Sequence, residues 1–97
     1  MAFVQIIEMR TQHEADLHAL GDEYFAATEG KRTLQRSVLT RDRNDPEHYF
    51  VLAFFDSYES AMENSELPET AEFAEKEAAL LEGPPTFLDL DVIEERS

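Results

Sequence analysis

The chain has 97 residues, 42% of them hydrophobic, and a net charge of −14 from 22 acidic and 8 basic side chains. That length allows one domain, residues 1–97, with one core, and the charge excludes nucleic acid and anionic membrane surfaces as partners. The absence of cysteine excludes a disulfide framework, a thiolate nucleophile and cysteine-bound zinc. The longest apolar run, Tyr49 to Phe55, is too short to span a bilayer, and the start Met1-Ala2-Phe3-Val4-Gln5 has no signal-peptide pattern. A cytoplasmic domain without a membrane partner is expected.

Phe3 to Arg10 is rich in apolar and β-branched residues and predicts a first strand, with Phe3, Ile7 and Met9 on one face and Val4 and Ile6 on the other. Thr11 and Glu14 stand in the T-x-x-E relation, which predicts a capping box. A helix is expected from Gln12 to Glu29, with Leu17, Leu20, Tyr24 and Ala27 on one stripe and Gly30 as its stop. Thr33 to Asp42 predicts an edge strand, and Arg43-Asn44-Asp45-Pro46 a turn.

His48 to Phe55 is apolar on both faces, Phe50, Leu52 and Phe54 against Tyr49, Val51, Ala53 and Phe55, as a buried central strand requires. Asp56 or Ser57 can cap a short helix carrying Tyr58, Ala61, Met62 and Ser65 on one side. Leu67-Pro68-Glu69 predicts a helix restart, since proline is tolerated in a first turn, with the helix continuing through Phe73 and Leu80 to Gly83. Phe87 to Glu94 completes the series as a last strand with Leu88, Leu90 and Val92 on one face and Asp89 and Asp91 on the other. The fold class is therefore α+β, a ferredoxin-like βαββαβ chain with a four-stranded antiparallel sheet whose first and third strands are central. Two helices can cover only one face of a four-stranded sheet. The second apolar face predicts a homodimer packed sheet against sheet.

The run Tyr49-Phe50-Val51-Leu52-Ala53-Phe54-Phe55 leading into Tyr58-Glu59-Ser60-Ala61-Met62, with Asn64-Ser65-Glu66-Leu67-Pro68-Glu69-Thr70 after it, resembles the antibiotic biosynthesis monooxygenase domain family of the dimeric α/β barrel superfamily. The resemblance covers nearly the whole chain and implies oxygenases that need no metal or flavin, and therefore no cofactor. Haem-degrading enzymes and small isomerases also occur in that superfamily. Many members carry a tryptophan where this chain has Phe55 and a histidine where it has Asn64 or Ser65. Haem-degrading relatives use a histidine on the helix before the last strand, where residues 66 to 82 have none, so haem degradation is disfavoured.

Glu77 falls within the stripe of Phe73, Leu80, Thr70, Leu81 and Ala74 on the last helix. Either its pKa is raised by burial toward that of a general base, or it pairs with Arg36 or Arg10 or bends its stem outward to water. His13 and His18 are about 140° apart round the first helix and cannot share a metal, while His18 and Glu14 suit a surface pair. His48, next to a turn, is a second candidate base. Tyr24, Tyr58 and Asn64 are candidate orienting groups, and Phe54 and Phe73 candidate walls for a small aromatic ligand. Lys31, Arg32, Arg36, Arg41 and Arg43 guard the second strand or meet acidic residues of a partner chain. Two functions remain open: a monooxygenase acting on a planar phenol or quinol, and a non-catalytic binding or structural homodimer.

Overall fold

The computed structural model describes residues 1–97. It contains β1 (Phe3–Arg10), α1 (Glu14–Ala27), β2 (Arg36–Arg41), β3 (His48–Phe55), α2 (Tyr58–Ser65), α3 (Pro68–Ala78) and β4 (Thr86–Asp91). The sheet is antiparallel with order β2-β3-β1-β4, so the two strands that are apolar on both faces are the central ones. This is the α+β ferredoxin-like architecture, with its second helical crossover broken in two at Leu67-Pro68.

Register fixes the two faces, because residues opposite one another in an antiparallel pair point the same way. Phe3 stands opposite Phe55, and Met9 opposite Tyr49. Both pairs lie under the helices: Phe3, Ala53 and Phe55 pack with Ala61 of α2, and Met9 and Tyr49 with Leu17 of α1 and with Leu80. The other face presents Val4, Ile6 and Glu8 of β1, Phe50, Leu52 and Phe54 of β3, Val38 of β2, and Leu88 and Leu90 of β4. No helix covers it. Leu88 and Leu90 are 48% and 41% exposed, and every residue of β4 is exposed.

Local signals succeed where nothing tertiary competes with them. Ser57 caps α2 and exchanges bonds with Ser60 in a capping box. Gly30 adopts a positive φ of 81° just beyond α1, a conformation glycine reaches without a Cβ penalty. The Thr11 and Glu14 box does not form. Thr11 Oγ1 accepts the His13 amide at 3.0 Å and donates to the Leu80 carbonyl at 2.6 Å, while Glu14 is drawn to His18, Arg41 and Tyr49. Thr11 is fully buried, so a bond that ties the start of α1 to the turn after α3 outweighs a local cap.

The same turn shortens α3. The helix stops at Ala78 instead of continuing through Leu80, because the Leu80 carbonyl faces Thr11 and the Glu82 amide donates to the Arg10 carbonyl at 2.8 Å. β2 begins three residues later than the sequence suggests and β4 ends three residues earlier. Ala27 is exposed, and Thr28 instead closes α1 with a bond to the Tyr24 carbonyl.

Thr11→Val keeps the side-chain shape but leaves the Leu80 carbonyl without its hydroxyl donor, and should cost about 1–3 kcal/mol in urea denaturation. A loss below a few tenths of a kcal/mol would show that this tie does not hold α1 to the end of α3.

Candidate functional site

Three helices direct side chains into the layer above the sheet. Tyr24 of α1 and Phe73 of α3 meet with ring centroids 5.0 Å apart, and Leu80 packs beside Leu17 one or two turns away along the same seam. Glu77 lies on the α3 stripe between these two contacts. It is 9% exposed, the only residue of α3 so buried. Its carboxylate forms no hydrogen bond and no ion pair. Neither arginine considered from the sequence reaches it, since Arg10 binds Asp45 at 2.7 Å and Arg36 lies over the Phe54 ring on the open face. Desolvation alone raises its pKa from 4.5 to about 7. Glu77 is therefore poised to take or give a proton near neutrality.

About two turns from it along α3, at Thr70, is a polar chain that sequence reasoning reached only in part. The Thr33 amide donates to Asn64 Oδ1 at 3.1 Å, which orients the amide so that Nδ2 donates to Tyr24 Oη at 3.0 Å. Tyr24 Oη and Thr70 Oγ1 share a further bond of 2.8 Å. Tyr24 and Asn64 are thus brought together as expected, with their polar atoms engaged by one another and by Thr70. Thr33 was not anticipated, because it lies in a segment that the sequence suggested was already strand.

The remaining candidates lie elsewhere. Phe54 and Phe73 do not form one wall: Phe54 alternates to the open face, beneath Arg36 at 5.1 Å. His48 shares that face, so the sheet separates it from Glu77. Its Nε2 lies 2.7 Å from Glu8 Oε2 and its Nδ1 3.1 Å from Asp42 Oδ2. The bond to Glu8 and then that to Asp42 raise its pKa, favouring the imidazolium over the free base. Tyr58 packs edge-on against Phe3 with half its surface exposed, away from Tyr24.

The space now open is small. A recess of about 30 Å³ lies between α1 and α3, lined by Tyr24, Phe73, Leu20 and Glu69 among others, and a shallow open groove of about 430 Å³ continues it over Ala19, Leu20, Lys76 and Leu80. No helix is long and apolar enough to cross a membrane.

The sequence matches no family model and no curated protein sequence, and its likeness to solved structures is one of fold. SnoaB, a cofactor-independent oxygenase from Streptomyces nogalater, superposes with a TM-score of 0.81 at 13% identity, covering 97% of this chain and 95% of that one. Rv0793 from Mycobacterium tuberculosis superposes at 0.80 with 16% identity over 100% of both chains. A structure described as an antibiotic biosynthesis monooxygenase superposes at 0.74 with 17% identity, over 97% of this chain and 100% of that one. The chain has the fold of the antibiotic biosynthesis monooxygenase structures, which is the fold implied by the resemblance in its sequence.

An acid held at about 7 in the folded chain and near 4.5 when unfolded makes the folded state bind more protons between those values. Stability should therefore fall as pH rises from about 4.5 through 7, by roughly 3 kcal/mol in all. Urea denaturation of Glu77→Gln should lack that fall and show the variant more stable than the parent at pH 8. Parallel pH profiles for the two proteins would contradict the buried, unpaired carboxyl.

Proposed function

We propose that the chain belongs to the antibiotic biosynthesis monooxygenase family and is a cofactor-independent monooxygenase acting on a small planar phenol or quinol, with Glu77 as its base. The observation that carries this reading is a largely buried glutamate without a hydrogen-bond or ion-pair partner, whose pKa burial raises to about 7, in the range a general base needs. An isolated buried acid destabilises the fold, and such a cost recurs at sites where proton transfer is required.

Glu77 takes a proton from the substrate, and the resulting anion reduces dioxygen. For a substrate with a reactive CH₂ group, a new C–O bond forms and the O–O bond breaks. One oxygen stays on carbon as a carbonyl, and the other leaves as water with the two hydrogens of that carbon. The substrate supplies all the electrons. Phe73 and Tyr24 offer aromatic surface to a planar ring, and the Thr70 hydroxyl can exchange its hydrogen bond to Tyr24 for one to substrate. Apolar surroundings limit the escape of the reactive intermediates to water.

A second reading, a non-catalytic small-molecule-binding or structural homodimer, draws on the recess of only about 30 Å³ and on the mutual engagement of Tyr24 and Asn64. Both readings include the homodimer. The uncovered face of Ile6, Phe50, Leu52 and Leu88 matches a second copy of itself, and a sheet-on-sheet contact would bury on the order of 1,600 Å².

Oxygen uptake should rise above buffer with one or more members of a panel of anthrones and quinols, increase with pH through about 7, and drop roughly 100-fold in Glu77→Gln. No uptake with any of them, or full activity in the variant, would leave the non-catalytic reading.

Sedimentation at micromolar protein checks the shared dimer. Two copies carry −28, so association through an apolar face should tighten as salt is added. Monomers at both low and physiological salt would remove the dimer from either reading.

A further inference from the structure

We propose that protonation of His48, clamped between Glu8 and Asp42 at one end of the open sheet face, controls association with a second copy of the chain through that face. The inference rests on the homodimer reading above and adds its regulation.

Strand register sets the position. His48, Phe50, Leu52 and Phe54 alternate onto the open face, and β1 places Arg10, Glu8, Ile6 and Val4 opposite them in that order. The imidazole lies against Phe50 with ring centroids 4.7 Å apart, at the border of the apolar patch, and its side chain is 19% exposed. Its two nitrogens meet carboxylate oxygens of two different strands' ends, Glu8 on β1 at 2.7 Å and Asp42 just beyond β2 at 3.1 Å. A neutral imidazole has one N–H and can donate to only one of them. Both bonds together require the imidazolium.

The neighbouring charges do not substitute for it. Arg10 is committed to Asp45, which also accepts the Glu47 amide, and Glu47 meets the Gln12 amide at the far side of the turn. Glu82 approaches through its backbone bond to the Arg10 carbonyl, and Arg43 has no ion-pair partner in the turn. From β4, the residue opposite Glu8 is the uncharged Thr86. His13 and His18 are on α1, across the sheet, and Glu77 is beneath the helices.

Loss of the proton takes the Glu8, His48 and Asp42 group from a formal −1 to −2 and leaves one carboxylate facing a ring lone pair. A docking face must shed water, and a carboxylate without a donor resists that far more than one bonded to an imidazolium. The two bonds raise the pKa of His48, so the proton is held to a higher pH than on a free imidazole and is lost as pH rises through the raised value. Association should therefore be tight below that value and weaken above it.

Sedimentation equilibrium of the full chain at pH 6 and pH 9 in fixed salt tests this, with circular dichroism confirming that each variant is folded. The parent should dissociate roughly tenfold more readily at pH 9. His48→Gln should be weak at both pH values, and His48→Arg, which keeps a cation between the carboxylates, should be pH-independent and tight. An equal dimer constant for the parent at both pH values, or an unchanged pH slope in His48→Gln, overturns the proposal while leaving the dimer intact. A monomeric parent at both pH values overturns the dimer and the switch together.

Discussion

The structure depends on a mismatch between strands and helices. β1 and β3 are apolar on both faces, yet all three helices lie on one side of the sheet. The single chain can close only one core. Under the helices are the two small clusters around Phe3 and Met9, and on the other side Ile6, Phe50, Leu52 and Leu88 remain uncovered. The helical side encloses Tyr24, Phe73 and Glu77, and the open side is left apolar and uncovered.

Electrostatics follow the same division. Glu77, in the closed layer, is shifted by desolvation with no opposing charge, which makes it uncomfortable as an ion and useful as a base. His48, on the open face, is shifted upward by the partners it binds, Glu8 first and Asp42 second, which favours its cationic form. The helices' outer surfaces carry most of the acidic excess. Its basic counterparts are mostly spent within the chain, Lys31 on Glu69, Arg41 on Glu14 and Lys76 on Glu23.

Much of this was legible from residue patterns. The alternation in Tyr49 to Phe55 identified a central strand, and helical periodicity placed Glu77 among apolar residues because both signals are local and strong. Phe54 was misjudged for an equally physical reason: when both faces of a strand are apolar, alternation separates them without saying which one the helices cover. His48 reads as a candidate base from the sequence because Glu8 lies 40 positions away and is brought to it only by register. Thr11 and Glu14 carried a local capping pattern that a distant carbonyl, Leu80, outcompeted. The Asn64, Tyr24 and Thr70 chain joins three helices, a proximity that no spacing along one helix encodes.

Glu77 is a largely buried acid with no partner, shifted by desolvation alone. Carboxyl carbon resonances followed by NMR from pH 4 to pH 9, with Glu77 assigned through Glu77→Gln, measure it without reference to any substrate. A midpoint near 7 is the predicted result. A midpoint in the ordinary carboxylate range would mean that Glu77 is hydrated or paired in solution, and would contradict its role as the base.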